Sequence, residues 1–336
     1  MRVLSVVGNR PQFIKSAPTS LALRERGVDE VVLHSGQHWD PAMSQVFFDE
    51  LEIPEPAYRL DLRTADAAAM TEPIREVVAR ERPDWVLVYG DTNTTLAGAH
   101  AAGGVPVAHI EAGLRSFDLE MPEERNRIEV DRLSALLLAP DERSAEQLRS
   151  ESIGGRIDVV GDVMADATRI FAPLARHRAR SVDGNYAVLT IHRAANTKPA
   201  RLREIVTAVN ATEQRFIFPV HPRTRRALTE GGLTLGAHVE AVEPLGYLEM
   251  LALVSGADAV VTDSGGLQKE AYWLKVPCVT VRPSTEWVDT VTAGANTLVE
   301  PDGLAAALGR ARFPENAPPL YGDGHAAGRI ATALYP

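Results

Sequence analysis

Short runs of apolar residues alternate with longer segments whose apolar positions recur at helical spacing. Strands are predicted over residues 3–8, 30–35, 85–89 and 106–111, each rich in Val, Ile or Leu and each followed by polar residues or glycine. Helices are predicted between them, over 13–26, 95–102, 123–138 and 143–149. This alternation predicts βαβ units and a parallel sheet, and near-continuous apolar strands fit a sheet covered on both faces. A second series runs through 187–191, 216–220, 239–242, 259–262 and 278–281. Between the two series lie residues 162–172 and a basic stretch with Arg176, His177, Arg178 and Arg180, then Ser181, Asp183 and Gly184. That stretch has no strong apolar period and reads as a linker. The expected class is α/β, with one domain over 1–172 and another over 184–319. A final helix over 320–336 is free to pack back on the first domain. No fixed-period repeat of the solenoid kind is present.

Composition narrows the classes. At roughly 150 residues per domain, 336 residues fit two domains. With 45% hydrophobic and 24% charged residues, disorder is excluded as the main state. A net charge of -10 argues against binding to nucleic acid or an anionic membrane through bulk charge, though a local basic pocket for phosphate remains compatible with it. The single cysteine, Cys278, cannot form an intrachain disulfide and suits a reducing compartment. No apolar run approaches the ~20 residues of a membrane span. The opening MRVLSVVGNRP is too short in its apolar part for a signal peptide and reads as a first buried strand, so a cytoplasmic location is expected.

In open parallel sheets, ligands bind at the carboxyl ends of strands. Polar residues gather at the predicted ends here. The first strand runs into Gly8-Asn9-Arg10-Pro11, and Lys15 follows. A helix N-terminus there offers amides to an anion, with Arg10 as a fork and Lys15 as a point charge. A surface Arg and Lys beside an ordinary turn explain the pattern equally well, because neither G-x-G-x-x-G nor a Walker lysine is present. Asp91 and Glu111 end two further strands, and Glu123 follows in Met121-Pro122-Glu123. Three carboxylates brought together would raise one another's pKa, which suits proton transfer near neutral pH. Singly, each has a plainer role: Asp91 as a helix cap, Glu123 as a helix-starting acid. Their placement near adjacent strand ends shifts the balance towards function.

In the second half, His192 closes one strand and His221 another. His192 is a candidate acid or base, since an unperturbed imidazole titrates at ~6.5, although a strand-end histidine is more often structural. The strongest local pattern is Asp263-Ser264-Gly265-Gly266, with Glu270 one turn into the helix. Paired glycines let a diphosphate approach the backbone, and Glu270 is in reach of a ribose hydroxyl. The nine histidines lack metal-ligand spacing with a carboxylate, so no metal is expected, and no G-x-S-x-G elbow is present.

Taken in order, the stretches GNRPQFIKSAP, SGQHWDPAM, GDTNTTLAGAHAA, PVAHIEAGLRSFDLEMPEERNR, TIHRAANT, PVHPRTRR, EPLGYLEM, TDSGGLQKEA and TEWVDTVTAGANTLV span residues 8–299. This series resembles the non-hydrolysing UDP-N-acetylglucosamine 2-epimerase family. The resemblance implies two Rossmann-like, doubly wound domains facing a cleft, of the glycosyltransferase-B type, with UDP held mainly by the second. It implies epimerisation at C2 of UDP-N-acetylglucosamine to UDP-N-acetylmannosamine by elimination and re-addition of UDP through 2-acetamidoglucal, with no redox cofactor. It makes Asp91, Glu111, Glu123 and His192 the acid/base groups. Arg10, Ser264 and Gly265 would hold the diphosphate, with Lys15 and His221 nearby, and Arg115 and Gly266 would also belong to the substrate site. Glu270 would hold the ribose, and uracil would lie by Met250. It also implies a homodimer and a place in cell-envelope polysaccharide synthesis.

Some positions depart from the family pattern. Ala195 stands where a glutamate is usual, and Val130 and Arg132 stand where Thr and His are frequent. Asn9 and Gln12 in the opening motif are read as tuning the loop. Three alternatives stay open: another UDP-2-acetamido sugar such as a diacetamido-uronate, glycosyl transfer on the same fold, and a UDP-sugar-binding homologue impaired in catalysis.

Overall fold

A computed structural model describes residues 1–38, 45–51, 53, 55–178 and 182–335. Residues 39–43 of the SGQHWDPAM stretch, and Arg180 and Ser181 of the expected linker, lie outside the described residues. The chain divides into two units, Met1–Ile170 with Tyr321–Pro336, and Phe171–Leu320.

The first unit carries β1 (Arg2–Val7), β2 (Asp29–His34), β3 (Tyr58–Arg59), β4 (Trp85–Tyr89), β5 (Val107–Ile110), β6 (Leu136–Ala139) and β7 (Arg156–Val159). These lie in the order β3-β2-β1-β4-β5-β6-β7, and every neighbouring pair is parallel. The second unit carries β8 (Ala187–Thr190), β9 (Phe216–Pro219), β10 (Val239–Val242), β11 (Ala259–Thr262), β12 (Cys278–Thr280) and β13 (Asn296–Leu298). Their order is β10-β9-β8-β11-β12-β13, again all parallel. Both sheets are doubly wound. The order reverses between β1 and β4 in one and between β8 and β11 in the other, and a reversal leaves a crevice at the strand ends.

The strand sequences explain the layering. Along β8, Ala187 and Leu189 enter one core cluster while Val188 enters another, because successive side chains point to opposite faces. Helices cover both faces, so the strand has no polar side and reads as a continuous apolar run. Leu4, Val6, Val86 and Val88 are wholly buried in the first unit. Burying each such side chain contributes roughly 1.5–3 kcal/mol.

The expected helix over 123–138 is corrected. It runs over Pro122–Leu133, and Leu136–Ala139 forms β6. Ser134, at φ -87° and ψ 133°, ends the helix in extended backbone. Arg176, His177 and Arg178 likewise close the helix Val163–Arg178 and are not linker. The helix Ala326–Ala333 belongs to the first unit. Asp166, 1% exposed, accepts from the amides of Ala326 and Ala327 at 2.9 Å each, which satisfies the first donors of that helix.

Candidate active site

In the first unit the candidates gather at the reversal between β1 and β4 and at the neighbouring end of β5. Asn9 caps the helix Arg10–Glu25, its side chain accepting from the Gln12 amide, with Pro11 in the first turn. Gln12 does more than tune the loop. It is 1% exposed, accepts from the Gly8 amide at 2.8 Å, and donates to the Tyr89 carbonyl at 3.1 Å and to Thr95 Oγ1 at 2.9 Å. One buried amide therefore ties the ends of β1 and β4 together. Arg10 lies with its guanidinium carbon 5.2 Å from the centre of the Phe47 ring.

Asp91 follows β4 and Glu111 follows β5, and each is ion-paired. Asp91 binds Arg127, and Glu111 binds Lys15. Gly90 brings the two pairs close. It sits at φ 65°, where a side chain is strained, and a Cβ there would lie 3.1 Å from Lys15 Nζ and 3.4 Å from Glu111 Oε2. Glu111 itself sits at φ 72°. A non-glycine residue in that region costs on the order of 1–3 kcal/mol and persists only where its surroundings impose it. Asp91 is not the helix cap; Thr92 is. The helix Pro122–Leu133 grips the Asp91 turn from the other side. Asn126 donates to the Asp91 carbonyl at 3.0 Å, and Arg127 reaches both Asp91 and Glu124, the latter at 2.6 Å. Glu123 stands exposed in the first turn of this helix. Glu124, 1% exposed, accepts from the amides of Ser116 at 2.9 Å and Phe117 at 3.0 Å.

Beneath these turns lies a buried polar chain. His109 Nδ1 is 2.7 Å from Asp131 Oδ1, and its Nε2 is 2.7 Å from the Gly90 carbonyl. Asp131 also accepts from the Gly113 amide at 3.2 Å and from Arg115 at 2.7 Å. Burial alone would raise the Asp131 pKa, but His109 and Arg115 outweigh it and hold the carboxyl below its ordinary range. Arg115 was expected at the substrate. Its side chain is only 2% exposed, and its fork closes on Glu151 at 2.8 and 2.7 Å. The guanidinium is engaged inside the unit, where it fixes the turn after Glu111.

In the second unit the candidates gather at the reversal between β8 and β11, where Thr190 and Thr262 bond across at 2.6 Å. Asp263, wholly buried, accepts from the amides of His192 at 3.1 Å and Arg193 at 2.9 Å and from Asn196 at 3.1 Å. It sets the loop that presents His192, whose side chain is 40% exposed and so open to a ligand. The His192 and His221 rings lie 5.9 Å apart, and His221 caps the helix Pro222–Glu230. Ser264 caps the helix Gly265–Trp273 with Gly265 and Gly266 in its first turn, so backbone amides point outward at that end. Glu270 is 9% exposed on the same helix. Met250 packs, half-buried, against the core beside Leu253 and Val254. Ala195 is exposed in the turn after His192.

Residues 21–335 match the sequence profile of the UDP-N-acetylglucosamine 2-epimerase family. The chain belongs to that family. It is 44% identical to the UDP-2,3-diacetamido-2,3-dideoxy-D-glucuronate 2-epimerase of Pseudomonas aeruginosa, over 99% of both chains. The UDP-GlcNAc 2-epimerase of Methanocaldococcus jannaschii, solved in complex with UDP-GlcNAc and UDP, superposes with a TM-score of 0.88 at 38% identity over 99% of both chains. A glycosyltransferase, VinC, 19% identical with a TM-score of 0.54 over 99% of this chain and 95% of its own, shares the fold alone. The chain is thus an enzyme of the non-hydrolysing UDP-sugar 2-epimerase class with the glycosyltransferase-B type of fold. Among the described residues, no helix is long and apolar enough to cross a membrane.

Sequence reasoning assigned no role to Arg127, Glu124, His109, Asp131 or Asp263. For Arg127 a signal existed: it lies four residues after Glu123 and three after Glu124, one turn along the same helix. The His109–Asp131 pair joins a strand to a helix 22 residues later and carries no local pattern.

Proposed function

We propose that the chain epimerises a UDP-2-acetamido sugar at C2, with UDP-N-acetylglucosamine as substrate and UDP-N-acetylmannosamine as product. The observation that carries this reading is the placement of Asp91 and Glu111 at adjacent strand ends, each held by its own cation, in a chain of this family. The C2 proton is weakly acidic, so a positioned carboxylate must take it. As the C2–H bond breaks, its electron pair forms the C1–C2 double bond of 2-acetamidoglucal, and the C1–O bond pair leaves with UDP. In the return step the UDP oxygen adds to C1, and a proton is delivered to the opposite face of C2.

Asp91, Glu111, Glu123 and His192 are the acid/base candidates. Arg10, Lys15, His221 and the Ser264–Gly265–Gly266 turn would meet the charge that develops on the departing diphosphate. Glu270 would bind the ribose hydroxyls, with uracil near Met250, so the second unit is the nucleotide-holding one. No resident cofactor enters these steps. On resemblance alone we also take the enzyme to be a cytoplasmic homodimer serving cell-envelope polysaccharide synthesis, and sedimentation tests the dimer.

A second reading keeps the chemistry and changes the sugar. The Pseudomonas relative, 44% identical over its whole length, acts by name on a diacetamido-glucuronate. Proton NMR in heavy water separates the two. Each UDP-sugar is incubated with the enzyme, and the C2-epimer is followed together with deuterium at C2. Turnover of UDP-N-acetylglucosamine with C2 deuteration supports the first reading. Turnover of the diacetamido-glucuronate alone replaces it with the second.

A further inference from the structure

Glu286 lies over the glycine turn that begins the helix Gly265–Trp273. A Cβ built on Gly265 would sit 2.6 Å from Glu286 Oε1, so this carboxylate fills the space against the turn. Two arginines hold it. Arg282 Nη2 lies 2.8 Å from Oε2, and Arg193 Nη2 lies 3.3 Å from Oε1. The residues on either side of Glu286 are fastened to the helix. Thr285 Oγ1 donates to Gln268 Oε1 at 2.7 Å, and Lys269 Nζ lies 4.0 Å from the centre of the Trp287 ring. The carboxylate is therefore delivered to this helix end by fixed neighbours, where the outward amides favour an anion. Desolvation would raise its pKa, but Arg282, its own backbone amide and the charge of Arg193 outweigh this and keep it below the ordinary range. The Nη1 of Arg282 is buried with no hydrogen-bond partner among the described residues.

We propose that Glu286 is a resident counter-anion of the nucleotide site, which occupies part of the diphosphate's place at the Gly265 turn and gives up Arg282 and Arg193 to the diphosphate when UDP binds. The proposal rests on the reading of Ser264–Gly266 as the diphosphate turn. Its consequence is a set affinity. Glu286 keeps both arginines aimed at the turn in the empty protein, and its like charge keeps the nucleotide from binding too tightly to be released.

Calorimetric titration of the whole enzyme with UDP, and separately with uridine, tests this. Glu286→Gln should lower the Kd for UDP about tenfold, the scale of one unit charge at short range, and leave uridine within about twofold. Arg282→Met should weaken UDP by a similar factor and again spare uridine. An unchanged or weaker affinity for UDP in Glu286→Gln, with wild-type enzyme binding UDP, overturns the proposal. If Glu286→Gln does not fold, Glu286→Ala carries the same test. Failure of the wild-type enzyme itself to bind UDP would instead remove the reading of the turn on which the proposal stands.

Discussion

His109 and Asp131 meet at 2.7 Å with both side chains wholly buried, and through them the turn before Asp91 and the turn after Glu111 are held from below. Removing the charge of Asp131 takes the carboxylate from His109 Nδ1 and one of two buried carboxylates from Arg115, which keeps Glu151. Asp131→Asn is therefore expected to destabilise the protein by about 3–5 kcal/mol, read by urea unfolding. A loss under about 1 kcal/mol would mean that the neighbours find other partners.

Asp91 and Glu270 separate chemistry from binding. Asp91→Asn should reduce turnover at least a hundredfold, the scale of a lost acid/base group, while UDP affinity stays within about threefold. Glu270→Ala should weaken UDP binding about tenfold through the lost charged hydrogen bond. A fully active Asp91→Asn enzyme removes that residue from the chemistry.

His34 makes stability fall in mild acid. Burial, and then the charge of Arg59, push its pKa down to about 4. The amide of Gly36 donates to its Nδ1 at 2.8 Å, so the native ring is neutral. Between about 6.5 and 4 the unfolded chain binds the proton and the native one does not, so stability is lost as pH falls through that window. The loss should reach about 3 kcal/mol and be absent in His34→Gln, compared by urea unfolding at pH 7 and pH 4.

Glu30 has the opposite sign. Burial raises its pKa, partly countered by Ser5, whose hydroxyl donates at 2.5 Å. A carboxyl with a raised native pKa favours the folded state only while protonated, and this contribution is lost as pH rises above about 4.5. Glu30→Gln should therefore raise the melting temperature at pH 7, and the gain should vanish near pH 4.

Ala195 sits exposed in the turn after His192, with room for a longer side chain. Ala195→Glu is expected to raise turnover of UDP-N-acetylglucosamine. Unchanged turnover would tie the small residue to a different sugar.

The strands that carry the site were legible because they are apolar on both faces, as in β4 and β11. β6 was lost inside a longer helix because Leu133, Leu136 and Leu137 continue helical spacing, and only the extended backbone of Ser134 separates the two elements. β3 and β13 are two and three residues long, too short to show a period. At the site, charged residues at strand ends could be read singly, whereas their partners could not. Arg127 lies 36 residues from Asp91, and Asp263 lies 71 from the His192 amide it holds. The same holds for Arg115: its charge was visible in sequence, but Asp131 and Glu151, which engage it, were not.

The helix that rests on Asp166 sets an order of events during synthesis. Arg26 meets Thr332 at 2.7 Å, Trp85 meets the Leu334 carbonyl at 3.0 Å, and Arg156 meets that of Ala333. All three wait for residues that follow the entire second unit in the chain. On the ribosome, the first unit must stand with one face bare while about 150 further residues emerge and fold, and it is sealed only after its younger neighbour is made.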